Sequence, residues 1–142
     1  MATGPEAHVD ELRSTELFGD LGEDSLQRVS AVANELEAPA GAVLVNPDLP
    51  ASGVFVVLSG TVVAETPDHR EHELGAGECF GELALLAGTS RTGRVSARTP
   101  VRCLAIERTA FEGLLQDEPG VARALLRVLA SRLIEAQASP RP

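Results

Sequence analysis

Val54-Phe55-Val56-Val57-Leu58-Ser59-Gly60-Thr61-Val62-Val63-Ala64-Glu65 is a run of mostly β-branched and apolar residues broken once, at Ser59-Gly60. Branched side chains crowd a helical turn but pack well on a pleated surface, so the run predicts two strands. Ser59-Gly60 supplies the turn between them. Around this hairpin, from Ala42 to Glu107, the texture repeats in Val43 to Val45, Glu71 to Leu74, Thr92 to Ala97 and Val101 to Ile106. Turn residues stand between the runs: Pro47-Asp48, Pro67-Asp68, Gly75 and Gly77, and Thr99-Pro100. Strands spaced this closely, with no long helices between them, predict an antiparallel sandwich or barrel. One segment departs from the pattern, because Gly81 to Ala87 is too rich in Leu, Ala and Glu to read as a strand.

On both flanks the apolar positions recur at helical spacing. From Pro5 to Asn34 they are Val9 and Leu12, then Leu26, Val29 and Ala33, on either side of a break at Leu17-Phe18-Gly19. Two short helices are expected, the second opened by Glu23, Asp24 and Ser25, with acids where the helix dipole favours them. Pro39-Ala40-Gly41 closes the region. From Thr109 the period returns in Phe111, Leu114 and Leu115, then after Pro119-Gly120 in Ala122, Leu125, Leu129, Leu133 and Ala136. This last stretch predicts a long amphipathic helix ending near Ser139-Pro140. Its stripe fits packing on its own sandwich, the commoner case, or packing on a partner helix.

The chain has 142 residues, 44% hydrophobic and 23% charged, which suits one domain spanning residues 1–142. Such a chain buries about 70% of its unfolded surface and needs no metal or disulfide to hold a core. Its formal charge is -9, from 21 acids against 12 bases, all of them Arg. There is no Trp or Tyr, and Phe18, Phe55, Phe80 and Phe111 are scattered. Direct nucleic-acid binding is therefore not expected. Cys79 and Cys103 lack ligand or redox spacing and read as small buried side chains. Met1 to Asp10 is acidic without an apolar core, and no run approaches the roughly 18 apolar residues of a span, so a cytoplasmic protein without membrane contact is expected. His69-Arg70-Glu71-His72-Glu73 resembles a metal cluster only superficially, since His69 and His72 face opposite sides of a strand and suit a solvated hairpin tip. Ser90 has no His at a spacing that suggests a nucleophile and base, and no catalytic constellation or metal site emerges.

The chemistry concentrates between Gly75 and Thr92. If the strand after Arg91 alternates, Arg91 shares an inward face with Gly93, Val95 and Ala97, while Thr92, Arg94, Ser96 and Arg98 face solvent. A buried unpaired guanidinium costs several kcal/mol, so Arg91 must meet a carboxylate or an exogenous anion. Ten positions upstream, Gly81 precedes a predicted helix of one or two turns whose free N-H groups, on Glu82, Leu83 and Ala84, form an anion cradle. Glu82 either favours the helix dipole or accepts a sugar hydroxyl beside the phosphate. A carboxylate there repels a second anion but rewards a ligand carrying a hydroxyl next to its phosphate. On residues alone an internal Arg91-Glu82 ion pair and a ligand site are both open.

Phe80-Gly81-Glu82-Leu83-Ala84-Leu85-Leu86, four residues, then Arg91-Thr92 and Val95 resembles the phosphate-binding cassette of cyclic nucleotide-binding domains. That module is shared by kinase regulatory subunits, cyclic nucleotide-gated channels and bacterial catabolite activators. The likeness covers roughly residues 15 to 137, including Pro39-Ala40-Gly41, the Ser59-Gly60 turn, Gly75-Ala76-Gly77-Glu78, and Phe111 to Leu115 with Pro119. The resemblance implies an α+β, mainly β, fold: an antiparallel β-roll or jelly-roll sandwich at about 39–107, N-terminal helices at about 5–34 and C-terminal helices at about 109–138. It implies that Glu82 takes a ribose 2′-hydroxyl and Arg91 the cyclic phosphate, with Gly81, Leu83, Ala84 and Thr92 completing the cradle. The implied ligand is cAMP, with cGMP as the second choice, and no cofactor. The C-terminal helix from about Gly120 would relay occupancy as a lid, or as an arm toward a homodimer or a partner protein. The chain departs from the family pattern at Asn46-Pro47-Asp48, where a Gly-Asp pair is usual, and at Gly93, where Ala is common. It also carries Ala136 and Gln137 where similar bacterial activators place hydroxyl residues against the adenine. With Ser139 to Pro142 closing the sequence, the helix-turn-helix domain of such activators is not expected here, nor is DNA binding by this polypeptide. The alternative reading is a non-catalytic interaction module whose pocket is closed by an ion pair or holds another anion.

Overall fold

The β-branched runs pair into two four-stranded antiparallel sheets. The computed structural model describes residues 7–49, 52–65, 69–82 and 93–138. Its strands are β1 (Ala33–Ala38), β2 (Val43–Val45), β3 (Gly53–Ser59), β4 (Val62–Glu65), β5 (Glu71–Leu74), β6 (Cys79–Phe80), β7 (Val95–Ala97) and β8 (Val101–Glu107). One sheet has the order β1-β8-β3-β6 and the other β2-β7-β4-β5. Its helices are α1 (Val9–Leu12), α2 (Glu23–Val32), α3 (Arg108–Asp117) and α4 (Pro119–Ala138).

The central strands of the first sheet, β3 and β8, are buried on both faces, which is why β3 reads as continuous apolar sequence rather than as an alternation. Val54 and Val56 of β3, with Leu104 and Ile106 of β8, join a core built with Leu12, Leu26, Phe111 and Leu125 from the helices. Their neighbours Phe55, Val57 and Cys103 face the other way, into a core shared with Val62, Val95 and Ala97 of the second sheet. The layers are therefore helices, sheet, sheet. Gly60 closes the β3–β4 turn at φ 89°, and a Cβ there would lie 2.3 Å from the Pro100 carbonyl oxygen. Only glycine fits that turn.

Two segments differ from the sequence expectation. Helix α2 stops at Val32, and Ala33–Ala38 is a strand pairing with β8 from Ala33↔Ile106 to Ala38↔Val101. The β-roll thus begins at Ala33 rather than at about 39, and helix does not extend to 34. Glu35, Leu36 and Glu37 favour helix by propensity, but edge pairing overrides it: Leu36 and Ala38 pack on the inter-sheet core while Arg102 of β8 hydrogen-bonds Glu35. Cys79–Phe80 is a second unforeseen strand, held by Phe55↔Phe80 and Val56↔Cys79 pairing and by stacking of the Phe55 and Phe80 rings at 4.9 Å. The Leu17-Phe18-Gly19 break does separate two helices, and Leu17 and Phe18 within it are fully buried. Thr15 Oγ1 stabilises it by donating to the Leu12 carbonyl at 2.6 Å and accepting from the Phe18 N-H at 3.2 Å.

Both cysteines are free and fully buried, as their spacing suggests. Burial pushes the Cys103 thiol up to about 11. It pushes the Cys79 thiol higher still, with the negative charge of Glu82 adding to the effect. Thiolate is the reactive species, so neither cysteine should react with an aqueous disulfide reagent at pH 8 until guanidinium unfolds the chain. Fast labelling of the native protein would contradict this packing.

Candidate functional site

The short strand β6 delivers the chain to the site. Gly81 follows it at φ 91°, and a Cβ there would lie 2.7 Å from the Gly53 carbonyl oxygen and 3.3 Å from the Phe55 ring. Glycine alone lets the chain turn this close to β3, and Glu82 comes next, where the backbone becomes helical. Glu82 is 1% exposed. Its Oε1 accepts a hydrogen bond from Arg132 Nη1, whereas its Oε2 is buried without a hydrogen-bond partner among the described residues.

Arg132 lies in the last third of α4 and joins three parts of the fold. Nη2 donates to the Cys79 carbonyl oxygen at 2.5 Å and to Glu16 Oε1 at 3.2 Å. Glu16 Oε1 in turn accepts the Cys79 N-H at 3.3 Å. The N-terminal segment, β6 and α4 thus converge on two carboxylates and one guanidinium. Burial pushes the Glu82 carboxyl above its usual range, and the charge of Arg132 only partly offsets this. Burial works against the Arg132 charge too, but the carboxylates of Glu82 and Glu16 outweigh it and hold the guanidinium firmly protonated. A desolvated carboxylate with one oxygen held and the other unpartnered is suited to accept a hydroxyl donor.

Other contacts fix where α4 starts. Glu118, buried between α3 and α4, accepts from Arg28 Nη1 of α2 at 2.8 Å, and its carbonyl takes the Val121 N-H at 2.9 Å. Arg127 reaches Asp20 at 3.2 Å. The buried face of α4 is Val121, Ala124, Leu125 and Val128. This corrects the expected stripe, because Leu133 and Ala136 are exposed. Beyond Val128 the inward position belongs to Arg132, one turn on from Val128 and two from Leu125.

Of the residues singled out in the sequence, Gly81 and Glu82 are adjacent in the site. Leu83, Ala84, Arg91 and Thr92 lie outside the described residues. The alternation expected after Arg91 holds for the described part, with Val95 and Ala97 buried and Arg94 and Arg98 exposed. Glu82 takes Arg132 as its ion-pair partner among the described residues, an arrangement the sequence reading missed, as it missed Glu16. The signal available was a lone Arg at core spacing on an otherwise apolar helix face. His69 is exposed at the β4–β5 hairpin. No group of three His, Cys, Asp or Glu side chains that could hold a metal occurs among the described residues, and no described helix is long and apolar enough to cross a membrane.

The sequence model of the cyclic nucleotide-binding domain matches residues 35–118, more than half of the chain. A cyclic nucleotide-gated potassium channel of Rhizobium etli is 34% identical over 82% of this chain and 32% of its own length. A CRP-like cAMP-activated global transcriptional regulator of Mycobacterium tuberculosis is 31% identical over 74% of this chain and 50% of its own length. The chain therefore spans about a third of the one relative and half of the other. Among solved structures, the Thermus thermophilus catabolite activator protein superposes with a TM-score of 0.74 at 26% identity, covering 87% of this chain and 60% of that one.

Proposed function

The chain belongs to the cyclic nucleotide-binding domain family, and from that premise we propose that it is a sensor for a cyclic nucleotide, cAMP in the first place and cGMP in the second. The observation that carries this reading is the buried Oε2 of Glu82, without a hydrogen-bond partner among the described residues, immediately after the Gly81 turn. In the proposed complex Oε2 accepts the ribose 2′-hydroxyl. The Arg91 guanidinium, the Leu83 and Ala84 amides and the Thr92 hydroxyl take the cyclic phosphate, an assignment that rests on the cassette pattern in the sequence. The carboxylate repels an inorganic anion and favours a phosphate with a neighbouring hydroxyl, which selects a ribose phosphate over free phosphate.

The site grips without transforming. It presents neither a nucleophile with a base nor a metal cluster among the described residues, so binding and relay rather than catalysis is the proposed role. Helix α4 is the output, because a ligand moves an element only as far as it binds one arrangement more tightly than another. Leu126, Leu133 and Ile134 are exposed on α4, and the seven-residue interval from Leu126 to Leu133 suits a seam with a second helix. A second copy or a larger regulated protein is the proposed receiver.

Isothermal titration calorimetry of cAMP and cGMP into the purified chain tests the reading. One saturable site, tighter for cAMP, is expected. No heat from either nucleotide, in protein shown to be folded by circular dichroism, would overturn it in favour of an interaction module with a different anion.

A further inference from the structure

We propose that binding at Glu82 is proton-linked: in the unliganded protein Oε2 holds a proton, and the ribose hydroxyl of an arriving cyclic nucleotide displaces it. The inference deepens the cyclic-nucleotide reading of Glu82 and rests on it. Glu82 is 1% exposed, and of its two oxygens Oε1 alone has a donor among the described residues. That donor is shared. Arg132 also pairs with Glu16, so one guanidinium serves two carboxylates and one negative charge is left over. Water reaches Glu16, whose side chain is 36% exposed, but not Glu82. Holding a sealed carboxylate ionised with one oxygen unmatched is more costly than neutralising it, so the proton settles on Oε2. When the ligand enters, the acid gives this proton to solvent, while the ribose hydroxyl keeps its own and donates it to Oε2 as a hydrogen bond.

The groups facing Glu82 among the described residues come from three parts of the chain. Burial first, and then Glu16 of the N-terminal segment, favour the protonated acid, while Arg132 of α4 pulls the other way. Cys79 on β6 faces it as a neutral thiol, and Glu78 just before β6 draws on the same Arg132 charge. A hydroxyl donor shifts this balance, because it stabilises the ionised carboxyl and not the protonated one. The cyclic phosphate brings a negative charge of its own, which Arg91 matches in the proposed complex. The liganded carboxyl therefore titrates lower than the unliganded one, and a proton leaves wherever the pH lies between the two. Acid favours the protonated, unliganded form, so binding weakens as pH falls through that interval, by up to about tenfold per pH unit. The sensor then reports nucleotide and acidity together.

Calorimetric titration of cAMP in pairs of buffers with different ionisation heats, from about pH 5 to about pH 8, counts the protons exchanged on binding. Release of up to one proton is expected toward the acid end, fading to none at the alkaline end. The 2′-deoxy analogue of cAMP lacks the hydroxyl and should bind without that release. Carbon NMR of the glutamate carboxyls supplies a readout that needs no ligand. In the unliganded protein the Glu82 signal, identified by its loss in Glu82→Gln, should titrate above the ordinary glutamate range, and saturation with cAMP should move its titration down. Binding of cAMP with no proton exchanged anywhere in this range would overturn the proposal by showing Glu82 already ionised. Proton uptake would overturn it by showing that the phosphate charge outweighs the hydroxyl, and release that persists with the deoxy analogue would place the proton elsewhere. Each of these results leaves the cyclic-nucleotide reading standing, whereas a wild type that binds neither nucleotide removes both.

Discussion

Replacing Arg91 with Ala is expected to weaken cAMP binding by roughly thirtyfold or more, since in the proposed complex it truncates one partner of a desolvated charge pair, which costs about 2–5 kcal/mol, and each 1.4 kcal/mol is tenfold. The expectation follows from electrostatics. A cyclic phosphate carries one charge that cannot be lost at neutral pH, and the chain around it is acidic, at -9 overall. Without Arg91 the ligand would meet Glu82 and backbone N-H groups, which can orient an anion but not neutralise it. Arg91→Lys keeps the charge and loses the planar fork, so it should fall between the wild type and Ala. Competition against a fluorescent cyclic nucleotide would measure all three, with thermal melting to show that the variants fold. Affinity within threefold of the wild type for Arg91→Ala would remove Arg91 from the site and, with it, the phosphate arm of the proposed complex.

How much of this was readable beforehand depends on which interaction decides each element. The β3–β4 hairpin was legible because Val54 to Val57 and Val62 to Val63 can bury both faces of a strand, and because Gly60 takes a conformation other residues avoid. The long helix α4 was legible from its period. Strand β1 was not, since Asn34-Glu35-Leu36-Glu37 carries no strand composition and owes its conformation to pairing with β8 and to Arg102, some 67 residues away. Strand β6 is two residues long, below what any periodicity can register. At the site, Glu82 and Gly81 were legible through cassette spacing, whereas Arg132 was not. Its partner lies 50 positions away, and a sequence window sees only a charge on an apolar stripe. The general lesson lies in that charge. A lone Arg at core spacing must be matched by a buried acceptor elsewhere in the chain, and Glu82 is the acid whose own surroundings leave it needing a cation.

Phe111→Ala is expected to destabilise the fold by about 3–5 kcal/mol, the usual cost of emptying a buried aromatic position. Phe111 is fully buried and belongs to the core that joins α3 to Val54 and Val56 of β3 and to Leu104 and Ile106 of β8. Against a total stability of about 5–15 kcal/mol for a domain of this kind, that is roughly a fifth or more. Leu133→Ala on the exposed face of α4 should by contrast stay within about 0.5 kcal/mol. Urea unfolding would show the difference as a shifted midpoint at unchanged slope. A loss below about 1.5 kcal/mol for Phe111→Ala would mean that α3 is not docked as described. The same variant also probes the link to function, because α3 carries the chain into Glu118 and the start of α4. If the cavity leaves Gly81, Glu82 and Arg132 in place, cAMP at a hundredfold excess over its Kd should return about 2.7 kcal/mol to Phe111→Ala, as it does to the wild type. A smaller return would mean that packing beneath α3 sets the position of α4, and through Arg132 the geometry of Glu82.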